Sequence, residues 1–230
     1  MIIAIDGPAG SGKSTIAKLI AEDLGLVYLD TGAMYRLVTL KALNDGILGD
    51  LEEIKKMLDN LNIDIKENGF YLDNVDVSDE IRKPIVSENV SDIAAIREVR
   101  EKMVDLQRKF SESKNVILDG RDIGTVVFPN ANVKIFLVAD AKERANRRYK
   151  ELVKKGENVK IEEIYENILK RDEIDSTRKE SPLKKAEDAI EVDTTSKNIE
   201  EVKNEILNIY SKYFICVWTY FIRIWILKIS

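Results

Sequence analysis

A glycine-rich segment near the start of the chain has the residue types and spacing of a phosphate-binding loop. Four residues separate Gly7 from Gly12, and Lys13 and Ser14 follow directly. Glycines let backbone N–H groups converge on phosphate oxygens, and a helix that begins here adds its positive dipole end. The lysine meets the outer phosphates, and the serine hydroxyl can bind Mg²⁺. The predicted nucleoside triphosphate site consists of Gly7, Pro8, Ala9, Gly10, Ser11, Gly12, Lys13 and Ser14.

Arginines follow the predicted strands and recur in a charged interval later in the chain, residues 142–180. Arg36 comes shortly after one strand and Arg121 directly after another. Phosphoryl transfer between two nucleotides depends on alignment and on stabilising the charge of the moving group. Arginines that converge from several segments on one cleft would supply that charge. The charged interval contributes Arg144, Arg147, Arg148, Arg171 and Arg178.

Composition excludes several other classes of chemistry. The 230 residues include no histidine, so a Ser-His-Asp triad, a Cys-His pair and a His-ligated zinc are excluded. The single cysteine, Cys216, cannot form an internal disulfide, which favours a reducing compartment. The formal net charge of −5 argues against nucleic acid or an anionic membrane as a partner. No secretory signal is visible, so we expect a cytoplasmic protein.

Short apolar runs alternate with helical patterns, which is typical of an α/β protein with a parallel sheet. A buried strand precedes the glycine-rich loop and an amphipathic helix, 14–24, follows it, so a chance match of the loop is disfavoured. Ligands should bind at the carboxyl ends of the strands. Period-two apolar residues between Leu61 and Ser87, with a turn at Asn68-Gly69, predict a small antiparallel insertion. The predicted strands are Ile2–Ile5, Leu26–Leu29, Val116–Leu118, Val133–Val138 and Ala189–Val192.

Four motifs together make residues 1–210 resemble the bacterial cytidylate (CMP/dCMP) kinase family. They are the loop with its preceding Ile5-Asp6, the segments 30–36 and 119–129, and the stretch from Arg171 to Arg178. The resemblance implies a three-layer P-loop kinase fold with a five-stranded parallel sheet. It also implies one kinase domain, 1–212, with a monophosphate-binding insertion at about 61–95 and a helical lid at about 142–180.

The resemblance implies a role for each matching residue. Gly7 to Thr15 would hold the phosphates of ATP, and Asp119 would assist Ser14 with Mg²⁺ through a water molecule. Arg144, Arg147 and Arg148 would belong to the lid that closes over ATP. Lys13, Arg121, Arg148 and Arg178 would be the catalytic residues. The acceptor nucleotide would bind to Thr31, Arg36, Ser91, Arg100, Arg121, Asp122, Arg171, Asp175 and Arg178.

Some of these residues also have a purely structural interpretation. Asp122 or Ser91 could accept a hydrogen bond from the cytosine amino group while Arg100 donates to the ring. A carboxylate would repel the carbonyl that uracil has at that place. Alternatively, Arg100 could lie on a solvated helix face, and Ser91 could be an N-cap. Asp119 could serve only in a strand-ending turn. Arg144 could pair with a neighbouring glutamate.

The implied activity is ATP-dependent phosphorylation of CMP and dCMP to CDP and dCDP by direct in-line transfer, with Mg²⁺ as cofactor. The acceptor phosphate is already anionic, so no general base is needed. Small-molecule nucleotides are the expected partners of a monomeric enzyme. One alternative is a kinase of the same fold that acts on UMP, AMP or a metabolite hydroxyl. Another is an inactive nucleotide-binding or scaffold protein.

The segment 213–230 departs from the family pattern. It contains both tryptophans and the only cysteine, and Arg223 interrupts its apolar run. The run is shorter than the ~20 residues of a membrane-spanning helix. Three interpretations remain open: a membrane anchor, a segment docked on the domain or on a partner, and a non-native end.

Overall fold

Five short strands form a parallel sheet in the computed structural model, which describes residues 1–66 and 69–213. They are β1 (Ile2–Asp6), β2 (Val27–Asp30), β6 (Val116–Gly120), β7 (Val133–Val138) and β8 (Ile190–Asp193). The order is β2-β6-β1-β7-β8, with β1 in the centre. A central strand must be apolar on both faces, and Ile3, Ala4 and Ile5 are fully buried. The predicted parallel sheet is confirmed, with strand ends shifted by one or two residues.

Helices cover both faces of this sheet and make three layers. On one face, Ile16 of α1 (Lys13–Leu24) and Ile206 of α8 (199–213), the last helix of the described residues, pack against Ile3 and Ile5. On the other face, Ala4 packs with side chains of α2 (Thr31–Asn44), α4 (Pro84–Ala95) and α5 (Arg97–Ser111). The alternation of side chains along β1 therefore supplies both cores. One further helix, α3 (Leu51–Asp59), joins the second core.

The predicted antiparallel insertion is confirmed as a three-stranded sheet. Its strands are β3 (Ile63–Lys66), β4 (Gly69–Leu72) and β5 (Val75–Asp76), in that order. Asp73 and Asn74, with φ of 51° and 67°, form the two-residue turn between β4 and β5. Asn68 of the other predicted turn lies outside the described residues.

The charged interval folds as a pair of helices, α6 (Ala141–Lys154) and α7 (Ile161–Thr177). Gly156, with φ of 82°, lies in the break between them. A small apolar cluster of Ala145, Ile164 and Ile168 holds the pair together. No helix among residues 1–66 and 69–213 is long and apolar enough to cross a membrane. The three interpretations of 213–230 concern residues that lie, except for Tyr213, outside the described part of the chain.

Candidate active site

The glycine-rich loop joins β1 to α1 and leaves the start of that helix open to an anion. A Cβ on Gly7 would lie 2.1 Å from the carbonyl oxygen of Leu137, so only glycine fits between the loop and β7. Gly12 begins the helix in a left-handed conformation, with φ of 92°. None of the described side chains caps α1, and its first turn has no acidic residue. The first N–H groups and the positive dipole end are therefore available to phosphate oxygens.

Lys13 is a buried cation in this loop. Its Nζ donates a hydrogen bond to the carbonyl oxygen of Pro8, at 2.8 Å. Burial, followed by the nearby charge of Arg121, lowers the pKa of Lys13 to about 7. A lysine in this state gains its full charge when an anion approaches. The loop therefore favours a negatively charged ligand.

Ser14 and Asp119 place two oxygen atoms together beside the loop. Ser14 Oγ donates to Asp119 Oδ2 at 2.8 Å, and the phenol of Tyr28 donates to Asp119 Oδ1 at 2.7 Å. Burial, followed by the charge of Asp30, raises the pKa of Asp119 to about 6. A hydroxyl and a carboxylate are ligands that Mg²⁺ accepts, completed by substrate phosphates. Thr31 Oγ1 donates to the main-chain carbonyl of the same Asp119, at 2.7 Å.

Asp6 fixes the loop that follows β6. Its two carboxylate oxygens accept hydrogen bonds from the backbone N–H groups of Ile123 and Gly124, at 2.8 and 2.7 Å. These residues begin a π-helical turn, Ile123–Val127, directly after Arg121 and Asp122. Burial is the main cause that raises the pKa of Asp6 to about 6. Because Asp6 precedes Gly7 in the chain, one side chain links the phosphate loop to the segment that carries Arg121.

Two predicted arginines converge on Asp175 of α7. Arg121 Nε donates to Asp175 Oδ2 at 2.9 Å, and Arg178 Nη1 lies 3.6 Å from Asp175 Oδ1. Burial alone would lower the pKa of Arg121, but the charge of Asp175 and this hydrogen bond outweigh burial and raise it. Asp175 thus holds two cations whose remaining donors can bind a phosphate.

Other arginines form a group with an excess of positive charge. Burial, followed by Arg171, lowers the pKa of Arg36 to about 9. Burial, followed by Arg121, lowers the pKa of Arg171 to about 10. The charge of Arg148 acts on both in the same direction. Partly buried guanidinium groups that repel one another form a site suited to a multiply charged anion.

Two arginines of this group have partners within the protein. Arg36 Nη1 donates to Ser87 Oγ at 2.7 Å and to the carbonyl of Ile81 at 3.2 Å. Arg148 Nη1 pairs with Glu151 at 2.8 Å, and its side chain is 31% exposed. Neither arginine pairs with a buried carboxylate, so the positive charge of each is available to a ligand.

A buried ion pair lies next to Arg178. Arg100 Nη2 donates to Asp122 Oδ2 at 2.5 Å, and Arg178 Nη2 lies 4.0 Å from Asp122 Oδ1. The guanidinium of Arg100 also lies 5.2 Å from the ring centre of Tyr35. Among residues 1–66 and 69–213, Arg100 Nε and Arg178 Nη2 have no hydrogen-bond partner. Unpaired buried donors beside a carboxylate can bind a polar heterocycle.

Two structural interpretations from the sequence are wrong here. Arg100 is 3% exposed, so it does not lie on a solvated helix face. The apolar residues around it on α5 face the core, and Asp122 compensates its charge. Ser91 is buried within α4, seven residues after the first residue of that helix, so it is not an N-cap. The N-terminus of α4 instead follows Lys83, with Pro84 as its first residue.

Arg144 braces the phosphate loop and does not pair with a glutamate. Its Nη1 donates to the carbonyl of Ala9 at 3.0 Å, its Nε to the carbonyl of Ala139 at 2.9 Å, and its Nη2 to Asp172 Oδ2 at 2.6 Å. The sequence suggested a glutamate that lies near Arg144 in the chain, whereas its acidic partner, Asp172, belongs to α7. The side chain of Arg144 is too deeply buried to pair with a glutamate near it in the chain.

Arg147 follows Arg144 along α6 and reaches the opposite end of the loop. Its guanidinium donates to the hydroxyl and carbonyl oxygens of Thr194, at 3.0 and 2.5 Å, and pairs with Glu143 at 3.0 Å. A Cβ on Gly12 would lie 4.0 Å from Arg147 Nη1. Arg147 is therefore placed beside the start of α1.

Several residues of the site carry no site prediction from the sequence. Asp6 was named only as part of the motif that precedes the loop, and its position at the carboxyl end of a predicted strand was the available signal. Tyr28, Asp172 and Thr194 have no such signal in the sequence, because their partners lie on elements that are distant in the chain.

Comparison with known proteins identifies the family. The family model described as cytidylate kinase matches residues 3–212. A cytidylate kinase from Fusobacterium nucleatum is 60% identical over 207 residues, which are 90% of this chain and 95% of that protein. A cytidylate kinase from Clostridioides difficile is 54% identical over 209 residues, 90% of this chain and 97% of that one.

A solved structure agrees on the fold alone. The crystal structure of an uncharacterized protein from Eubacterium ventriosum covers 92% of this chain and 98% of its own, with a TM-score of 0.50 at 15% identity. This similarity shows that the two proteins share an architecture, and no activity is inferred from it. The range that the family model matches includes the phosphate loop, the arginine group and the Arg100–Asp122 pair. This chain belongs to the cytidylate kinase family.

Proposed function

We propose that this chain transfers the γ-phosphoryl group of ATP directly to CMP and dCMP, which yields ADP and CDP or dCDP. The observation that carries the proposal is the position of Arg121. Its Nε is held by Asp175 on the acceptor side, while its charge acts on Lys13 of the phosphate loop and on Arg171. One guanidinium thus joins two anion sites, as transfer between two nucleotides requires.

The donor site would consist of the loop Gly7 to Thr15 and the side chain of Lys13. Ser14 would hold Mg²⁺ and Asp119 would assist through a water molecule, since their oxygens lie 2.8 Å apart beside the loop. When bound there, Mg²⁺ would supply positive charge at the donor phosphates. Lys13 would give up its hydrogen bond to Pro8 and donate to the phosphates. We assign Arg147, beside Gly12, to the donor nucleotide as well.

The acceptor phosphate would bind between Arg36, Arg121 and Arg178, with Arg171 behind it. Thr31 donates to a main-chain carbonyl, which leaves its oxygen free to accept a hydrogen bond from the acceptor nucleotide. Asp175 would position the arginines and lie close to the sugar. The acceptor phosphate is itself the nucleophile, so the transfer is in-line, without a covalent enzyme intermediate.

Cytosine would bind at Ser91, Arg100 and Asp122. Asp122 would accept a hydrogen bond from the amino group of the base, and Arg100 would donate to its ring nitrogen or carbonyl. Uracil has a carbonyl in place of the amino group, so it would face the carboxylate without a donor. An unpaired polar contact of this kind costs about 1–3 kcal/mol, which corresponds to a preference of roughly tenfold or more.

The helices α6 and α7 would form the lid, within the range 142–180. Arg148, which is partly exposed, would move onto the transferred phosphoryl group as the lid closes. Closure would exclude water and suppress ATP hydrolysis. We also propose that the enzyme is a monomer, and the single cysteine favours the cytoplasm.

The direct test is an ADP-release assay with a panel of acceptors. We expect CMP and dCMP to be phosphorylated at rates at least roughly tenfold above those of UMP and AMP. Lys13→Ala serves as the control for background hydrolysis and should lose turnover while it remains folded. Equal rates with CMP and UMP would contradict the proposed base specificity. ATP binding without turnover of any acceptor would contradict the proposed activity.

A further inference from the structure

Tyr28 forms a hydrogen bond that the proposed reaction does not use. It lies on β2, and its phenol donates to Asp119 Oδ1 at 2.7 Å on the neighbouring strand β6. In the strand register Tyr28 pairs with Ile117, and Asp119 lies two residues farther along. Residues two apart project to the same face of a sheet, so the phenol can reach along that face to the carboxylate.

The two oxygens of Asp119 are thereby held from two sides. Tyr28 binds Oδ1 from the sheet, and Ser14 binds Oδ2 from the first turn of α1. The carboxylate cannot rotate about its Cβ–Cγ bond without breaking one of these two hydrogen bonds. The ring of Tyr28 is itself fixed, because it packs against the core cluster that contains Ile3 and Ile5. Lys18 Nζ also lies 5.6 Å from the centre of the ring.

We propose that Tyr28 is a positioning residue which orients Asp119 for Mg²⁺ and makes the donor site select Mg²⁺ over Ca²⁺. This inference rests on the proposed magnesium site. Mg²⁺ requires nearly ideal octahedral geometry, whereas Ca²⁺ accepts variable ligand number and direction. A fixed carboxylate therefore benefits the smaller ion more. A carboxylate that can rotate would still serve Ca²⁺.

Tyr28→Phe isolates this effect, because it removes one hydroxyl and keeps the packed ring. The matched control is Tyr71→Phe, which removes a phenol from β4 in the other sheet. The measurement is the dissociation constant of ATP without an acceptor, by titration calorimetry in Mg²⁺, in Ca²⁺ and in a chelator. The melting temperature of each variant is measured alongside, to show that the fold is retained.

We expect Mg²⁺ to lower the dissociation constant of ATP for the wild type. The factor by which Mg²⁺ strengthens binding should be smaller in Tyr28→Phe, by on the order of tenfold. The gain from Ca²⁺ should change much less, and Tyr71→Phe should match the wild type in both ions. Equal losses in the two ions, or no loss in either, would overturn the inference and leave the magnesium site standing. A wild type whose ATP affinity is the same in Mg²⁺ and in chelator would overturn the magnesium assignment, and this inference with it.

Discussion

Arg144 on α6 donates a hydrogen bond to the main-chain carbonyl of Ala9 in the phosphate loop, at 3.0 Å. The same guanidinium binds Asp172 on α7. One buried side chain thus connects the loop to both helices of the proposed lid. A movement of these helices relative to the loop would therefore strain or break these hydrogen bonds.

Replacing Arg144 should reduce the stability of the fold, whereas replacing its neighbour Arg148 should not. Arg144→Ala leaves Asp172, which is 22% exposed, without its cation. Loss of one partner from a buried pair costs ~3–5 kcal/mol, and we expect about 3 kcal/mol because Asp172 is partly exposed. Arg148→Ala removes a surface pair and should change stability by less than ~1 kcal/mol while it lowers turnover. Urea denaturation measures both; equal destabilisation by the two substitutions would contradict the brace.

ATP binding should take up a proton at alkaline pH. Burial lowers the pKa of Lys13 to about 7, so much of this lysine is neutral above that pH in the free protein. Donor phosphates favour the charged form and raise the pKa, so binding draws a proton and affinity falls as the pH rises beyond about 7. Calorimetry in buffers of different ionisation enthalpy measures the uptake. The uptake should vanish well below this pH, and its absence above it would show that Lys13 is already charged.

The buried carboxyl of Asp6 should make stability depend on pH. Its pKa is raised by burial from 3.8 to about 6, so the folded protein binds more protons than the unfolded chain between these values. This contribution is present below about pH 4 and is lost as the pH rises to about 6. The wild type should lose up to about 3 kcal/mol relative to Asp6→Asn over this range. Urea denaturation of both proteins across the range gives the difference, and parallel curves would exclude titration of Asp6.

Asp122 should determine the choice of base. Asp122→Asn presents an amide that can donate to the uracil carbonyl, so the ratio of CMP to UMP turnover should fall roughly tenfold. Arg97→Ala is the control on the helix that carries Arg100. Arg97 is 69% exposed, pairs with Glu101 and should not affect the ratio. The ADP-release assay with both acceptors gives this ratio, and an unchanged ratio in Asp122→Asn would remove Asp122 from base recognition.

The sequence predicted the elements of this fold because each carries its own local signal. The strand Ile2–Ile5 is apolar throughout, and the spacing from Gly7 to Ser14 is a local pattern. The two helical layers then follow from burying the apolar faces of the sheet, whereas the order of the strands was not predicted. Arg36 and Arg121 were assigned to the site because they follow predicted strands, and the carboxyl ends of parallel strands meet at one edge.

Contacts between distant segments account for what the sequence did not predict. Arg144 and Ala9 are 135 positions apart, and Tyr28 and Asp119 are 91 apart. Such partners depend on strand register and helix packing, which have no local signature. Ser91 was considered as an N-cap because apolar residues follow it, but the helix starts earlier, at Pro84. Arg100 stands in a charged run, and only the fold shows that Asp122 faces it.

The central claim is that donor and acceptor phosphates meet at Arg121. A crystal structure with CMP and a non-hydrolysable ATP analogue tests it most directly. We predict that the Arg121 guanidinium lies within hydrogen-bond distance of phosphate oxygens of both nucleotides, with Lys13 on the donor side and Arg178 on the acceptor side. An Arg121 side chain directed away from the phosphates of both nucleotides would contradict the account.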